Sequence, residues 1–388
     1  MSRSRQSRVR RLRAAAAAAI TAAVALAGCS GQGAAGESNS GENGEPTTVH
    51  MALQPLHQYA AWEFAQESGM AEELGVELEF TWLPQVDTAV QSLARGDLDM
   101  ISTCTACNFP YLENSPDLRD AMIISQFKGF ILIGQAGAPS YDELVAEGSS
   151  PDEAREEIFS YLEGRTFVLR ESAFGALLNG LLDYAGLTRD DITLMDVADD
   201  SRAAQAFLQG EADFYMGSLA QESKLLRDHP DRAVNMGGAE ILGPGGLWYD
   251  TMAVDQDWLD ENEDTMLKLT AMWARIARYL TEEPETITPM ITASINEHSG
   301  SSFEDGEIEQ LIEEFLGFAT LERWENEIFN TDSELYWRNS LEFYAEQNVT
   351  DGVLPESVAV DEHYVAEDLY NKFLEEDDLV EWVNSPLS

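Results

Sequence analysis

Lysine is nearly absent: only Lys128, Lys224, Lys268 and Lys372 occur in 388 residues, and all basic residues together number 23 against 71 acidic ones, a formal charge of −48. Such a surface repels nucleic-acid phosphates and anionic lipid headgroups, so neither is expected as a partner. The acidic residues are spread through the chain instead of forming a tail, which reads as a strongly hydrated surface suited to high salt. Cysteine is also scarce, with three residues, and histidine numbers five. Beyond the C-x-x-C of Cys104 and Cys107 there is no second cysteine pair and no close histidine pair, so a zinc site is not expected. No Walker loop, no G-x-G-x-x-G after a strand, no H-E-x-x-H and no G-x-S-x-G is present, which leaves nucleotide, zinc-protease and serine-hydrolase chemistry without support. No cofactor and no catalytic residue is expected.

What the chain does have is a recurrence. AVQSLARGDLDM, residues 89–100, returns 114 residues later as AAQAFLQGEADF, residues 203–214, with four of twelve positions identical. In each copy a helical apolar spacing runs into a glycine suited to ending a helix, Gly96 or Gly210, then an acidic corner carrying Asp99 or Asp213, then a strand. Both aspartates are expected to serve the turn rather than a ligand. Two such junctions in successive α/β segments imply two lobes built alike, with room for a ligand between them.

The N-terminus has the parts of an export signal: a basic start, an apolar stretch over residues 14–27, and small residues before a cysteine. The stretch is too short and alanine-rich to span a membrane well. Leu26-Ala27-Gly28-Cys29 resembles the lipobox of bacterial lipoproteins, which makes residues 1–28 a lipoprotein signal peptide and Cys29 the lipidated N-terminus. Removing the six arginines ahead of Ala14 leaves 17 basic against 71 acidic residues, a formal charge of −54. Acyl chains on Cys29 supply enough buried CH₂ to hold a domain on a membrane. Residues 29–46 carry no aliphatic side chain larger than alanine and read as a flexible tether. From residue 47 strands alternate with helices: strands over 47–53, 76–83, 121–136 and 166–170, and helices over 60–74 and 174–185. Ser150, Pro151 and Glu153 form a helix start. This alternation predicts mostly parallel sheets flanked by helices. After residue 257 the pattern is nearly all amphipathic helix, expected to cover one lobe only.

With the lipobox, the SLARGDLDM and FLQGEADF junctions, the segment GLTRDDITL and the helical C-terminal third, residues 49–373 resemble the solute-binding proteins of bacterial ABC importers, in the family of nitrate, taurine and alkanesulfonate binders and THI5/NMT1-like proteins. The insert over residues 140–162 and the CTAC sequence depart from that pattern. The resemblance implies an α/β, two-lobed periplasmic-binding-protein-like fold (type II) in which the chain crosses between lobes near 134–139 and 243–249. Lobe 1 is then 47–135 plus 249–388, and lobe 2 is 136–248. It further implies a membrane-anchored, extracytoplasmic monomer, tethered to the outer face of the cytoplasmic membrane, that captures a small organic solute and delivers it to the permease subunits. The alternative is a pyrimidine-precursor synthase similar to the THI5 proteins, or another enzyme on the same fold; the export signal speaks against that cytosolic chemistry.

In open α/β sheets the ligand crevice lies at the carboxyl ends of strands. The loops there supply the expected ligand contacts: His57, Gln58 and Tyr59; Thr103, Cys104, Thr105 and Asn108; Ser172 and Phe174; and Ser218. Trp82 and, at the second crossing, Trp248 and Tyr249 complete the set. In an exported chain the spacing of Cys104 and Cys107 favours a local disulfide over metal or thiol chemistry. Aromatic residues at these loops, Tyr59, Phe109, Phe174, Trp248 and Tyr249, outnumber basic ones and favour a neutral or cationic planar solute.

Overall fold

The protein, a computed structural model, is described over residues 46–387 apart from 301, 305 and 351. The signal segment, Cys29 and the tether up to residue 45 lie outside the described residues. The strands are β1 (Thr47–Leu53), β2 (Val76–Trp82), β3 (Met100–Cys104), β4 (Leu118–Phe127), β5 (Leu132–Gln135), β6 (Thr166–Leu169), β7 (Thr193–Asp196), β8 (Phe214–Tyr215), β9 (Ala233–Gly237), β10 (Trp248–Asp255) and β11 (Leu316–Phe318). They form a first sheet in the order β11-β4-β10-β3-β1-β2 and a second in the order β7-β6-β8-β5-β9.

Strand direction follows from how the chain enters each sheet. In the first sheet β1, β2, β3 and β4 all run one way, and β10, the strand made when the chain returns, is antiparallel to both of its neighbours. In the second, β6, β7, β8 and β9 run together and β5, the entering strand, opposes both β8 and β9. Each sheet is therefore mixed: the crossing strand is reversed in both, β11 at the edge of the first sheet also opposes β4, and the expected parallel pairing holds for β3-β1-β2 and β7-β6-β8. The first crossing is earlier than the sequence suggests: residues 132–135, assigned above to lobe 1, pair in the second sheet, and the chain passes over at 128–131. Strand-forming residues continue on both sides within 121–136, and only Lys128 and Gly129 mark the change.

The repeated junctions fold alike. Gly96 and Gly210 adopt positive φ, 72° and 74°, where a side chain would be strained. Past each glycine an aspartate clips the neighbouring strand: Asp99 N–H donates to the His50 carbonyl (2.9 Å) while its carboxylate accepts from His50 N–H (2.8 Å). Asp213 does the same with Thr166, at 2.9 Å in both directions. The pairing satisfies backbone groups at the strand edge and explains why the acid recurs.

Side-chain alternation in the second sheet separates two cores, as period 2 requires. Phe167, Leu169 and Phe214 face one cluster with Ile158, Leu178 and Met236, while Val168 and Tyr215 face another with Ala203 and Phe207. The first sheet is backed by the helix Glu263–Glu282, whose buried Trp273 packs on Trp62 at 5.4 Å and donates its indole N–H to the Ile124 carbonyl at 3.0 Å. The expected helix 60–74 is broken into His57–Ala60, Trp62–Glu67 and Met70–Glu73, the last break falling at Gly69 with φ 85°. Ser150 and Glu153 form the reciprocal capping pair that starts the helix Pro151–Leu162. The C-terminal third is not all helix, since β11 pairs with β4. Nor does it cover the first sheet alone: Arg155, in the helix Pro151–Leu162, pairs with Glu334.

Candidate functional site

A cavity of about 1000 Å³ lies where the helix Leu219–Asp228, which follows β8, faces the first turn after β1. His57 enters it from the first sheet's side and Leu219, Ser223, Leu226 and Arg227 from the second's. A third wall comes from Phe303, Gln310, Leu311 and the carboxylates Glu307, Glu313 and Glu314. Two of the loops expected at a ligand crevice therefore meet here, those after β1 and β8.

The cavity's electrostatics are lopsided. Burial pushes the His57 imidazole down to about 4, so it is neutral at neutral pH. Arg227, the one cation lining it among the described residues, is mostly exposed and turned to Asp228 at 3.1 Å. The Glu307 carboxylate accepts from the Glu304 N–H at 2.8 Å. The Ser223 hydroxyl, buried on the cavity wall, has no hydrogen-bond partner among the described residues. Beside it Glu222 is fully buried; one oxygen accepts from Gly217 N–H at 3.3 Å and the other has no partner among the described residues. Burial holds that carboxyl well above the usual range.

Most of the residues picked from the sequence are buried and do not line this cavity. Gln58, Tyr59, Thr103, Cys104, Thr105, Asn108 and Tyr249 are all buried, and none lines either large cavity. Their polar groups are engaged inside the first sheet, those of Gln58, Tyr59 and Asn108 by two buried aspartates. Asp250 accepts from Ser125 Oγ at 2.7 Å, from the Tyr59 hydroxyl at 3.4 Å and from Gln58. Asp120 Oδ2 accepts from Thr251 Oγ1 at 2.8 Å and from Asn108 Nδ2 at 3.0 Å, and Asn108 Oδ1 accepts from Thr103 Oγ1 at 2.7 Å. Burial pushes Asp120 up to about 8 and Asp250 up to about 6, the hydrogen bonds opposing the shift. The Thr105 carbonyl accepts from the Tyr364 hydroxyl at 2.6 Å, and the Tyr249 hydroxyl donates to the Leu335 carbonyl. In this structure the seven are therefore engaged within the protein, as expected where an unmet buried polar group costs about 1–3 kcal/mol.

The others are dispersed. Trp82 stacks on His298 at 4.4 Å, Phe174 packs against the second core, and Trp248 meets Phe130 and Tyr344 edge-on. Of the cleft aromatics, Tyr59, Phe109 and Tyr249 are core. The stacking platform inferred from them is thus not present at the cavity. Ser218 donates its N–H (3.0 Å) and its hydroxyl to Asp200, which also accepts from Tyr215 at 2.7 Å. Of Ser172 the side chain lies outside the described residues. Cys104 and Cys107 are joined by a disulfide. Among the described residues no cluster of three or more His, Cys, Asp or Glu side chains is placed to hold a metal, and no helix is long and apolar enough to cross a membrane.

A second cavity, about 740 Å³, sits at the first crossing and is lined in part by Gln126, Lys128, Asn235, Glu240, Arg323 and Glu327. Arg323 is committed to Glu327 (2.6 Å) and Gln126 (2.8 Å), and burial followed by the Arg323 charge lowers the Lys128 ammonium. Sequence reasoning missed both cavities' third wall, residues 303–327, because the C-terminal helices read as a cover rather than as lining.

Comparison with known proteins fits this geometry. Residues 154–287 match a family model described as NMT1/THI5 like, in agreement with the resemblance carried by the sequence motifs. The periplasmic aliphatic sulphonate binding protein of Escherichia coli superposes with a TM-score of 0.55 at 14% identity, covering 82% of this chain and 92% of that one. A putative sulfonate ABC transporter's periplasmic sulfonate-binding protein from Methylobacillus flagellatus KT gives 0.56 at 12% identity, covering 86% and 96%. No curated protein matches in sequence. The fold is that of the periplasmic binding proteins.

Proposed function

We propose that the chain is the solute-binding component of an ABC importer: a non-catalytic receptor that captures a small organic solute between two lobes and passes it to a permease. The observation that carries this reading is the cavity shared by His57 and the helix Leu219–Asp228, which belong to different sheets joined by strands that cross. Rotation of one sheet against the other about 128–131 and 238–247 opens or closes such a site. Four features support the importer role: the fold, the family match, the export signal and the lipobox. Cys29 then anchors the receptor outside the cytoplasmic membrane. Replacing Cys29 by Ala is expected to shift the protein from the membrane fraction to the medium, or to leave it unprocessed; a processed variant still on the membrane at wild-type level refutes the anchor.

The solute is neutral or cationic. Planarity is not required, since the aromatic residues that suggested it lie elsewhere. The preference rests on the neutral His57, the exposed Arg227 turned to Asp228, and three glutamates on the facing wall. A thermal-shift panel decides. A solute at about 100 times its dissociation constant adds roughly 2.7 kcal/mol, enough to raise the melting temperature by at least several degrees. Shifts are expected with quaternary amines or uncharged organics. A shift with nitrate, taurine or alkanesulfonates alone would overturn the charge preference and leave the receptor reading in place.

A further inference from the structure

The two lobes of the receptor reading are joined by more than the two crossings. Residues 334–350 leave the first sheet's layer after the π-helical turn Trp324–Ile328, reach the second sheet's helices, and return to the first sheet at Tyr364. At the outward end the Glu334 carboxylate accepts from both terminal nitrogens of Arg155 at 3.0 Å, a two-pronged ion pair with a residue only 8% exposed, one of whose nitrogens also donates to Asp152 at 2.6 Å. In mid-course the helix Trp337–Thr350 lies on the second crossing, where Ser340 donates to the Leu247 carbonyl at 2.6 Å and the Tyr344 hydroxyl to the Gly245 carbonyl at 2.8 Å. Between these two bonds Phe343 enters a notch made by absent side chains. A Cβ on Gly180, in the second layer's helix Glu171–Tyr184, would come within 2.9 Å of the Phe343 ring, and one on Gly245 within 3.0 Å.

Resting on the receptor reading, we propose that residues 334–350 form a strap that sets how far the second lobe can rotate, with Arg155–Glu334 as its releasable clasp. Its two attachments differ in kind. The clasp is ionic, and Glu334 is mostly exposed, so water can replace its bonds when the lobes move. The Phe343 contact is steric and holds only while the ring faces a glycine in both Gly180 and Gly245. The first-layer end is fixed more firmly: Trp337 is fully buried and donates to Glu367 at 2.9 Å. Rotation therefore frees the strap from the second lobe and not from the first.

The test uses the whole chain without solute, with Cys29 changed to Ser and spin labels placed at two exposed positions, Glu77→Cys on β2 and Glu157→Cys on the helix Pro151–Leu162. The unsubstituted strap is expected to give one narrow distance distribution. Glu334→Gln, Phe343→Ala and Gly180→Ala are each expected to add a second population. Gly180→Ala also reports by sign: alanine in a helix interior with open space raises the melting temperature, whereas a ring seated against the glycine makes the substitution lower it. Unchanged distance distributions in Glu334→Gln and Gly180→Ala overturn the proposal. Because no solute is present, that outcome leaves the receptor reading standing, and failure to find a solute leaves the strap standing.

Discussion

Ser223→Trp abolishes the thermal shift produced by the best solute of the panel while the unliganded melting temperature stays within about 5 °C of wild type. Ser223 lines the larger cavity, and its hydroxyl has no hydrogen-bond partner among the described residues to lose. An indole added there occupies space that a solute needs, within a cavity of about 1000 Å³ that can accept its volume. Loss of at least about 100-fold in affinity, roughly 2.7 kcal/mol, is expected. Leu226→Trp on the same wall serves as a second blocking variant. Retention of wild-type affinity by both places the solute elsewhere, the cavity at Lys128 and Arg323 being the first alternative.

The second large effect is a pH dependence of stability carried by Asp120. Burial pushes its folded carboxyl up to about 8 from the ordinary aspartate value of 3.8. Below pH 4 both folded and unfolded chains hold the proton. As pH rises from 4 to 8 the unfolded chain releases it and the folded chain retains it, so the contribution to stability falls across that window and levels off above it. Asp250 adds a slope in the same direction up to about pH 6. Asp120→Asn keeps an oxygen for Thr251 and Asn108 and removes the titration. The difference in unfolding free energy between variant and wild type should therefore move in the variant's favour with rising pH, by up to ~1.4 kcal/mol per pH unit. Parallel stability curves between pH 5 and 7.5 would show that Asp120 is ionised in the folded protein.

Much of the architecture was legible because it rests on local patterns that tertiary contacts do not overrule. The recurrence at 89–100 and 203–214 marked two similar layers, and its glycines and aspartates occupy equivalent places in the folded chain. The capping residues Ser150 and Glu153 likewise act within one turn. The crossing at 128–131 was misplaced because strand-forming residues continue through it; pairing partners, not composition, decide which sheet β5 joins. The site was less legible still. Residues such as Tyr59, Thr103 and Asn108 do sit near strand ends, but two lone aspartates in apolar runs, Asp120 in RDAMIISQF and Asp250 in WYDTMAVD, engage Asn108 and Tyr59, and Asn108 in turn engages Thr103. An acid inside an otherwise apolar strand is a signal for such a buried network, and it was available in the sequence. The helix Glu307–Phe315 as a cavity wall, and the approach of Phe343 to Gly180, depend on long-range packing that no local spacing announces.

The receptor reading requires that solute binding draw the two sheets together about the crossings at 128–131 and 238–247. Solution X-ray scattering with and without a saturating amount of the best panel solute tests this most directly. The radius of gyration is predicted to decrease on binding, and to remain unchanged in Ser223→Trp at the same solute concentration. A scattering profile that does not change while calorimetry shows the solute bound to the wild-type protein would contradict closure of the cavity between the lobes.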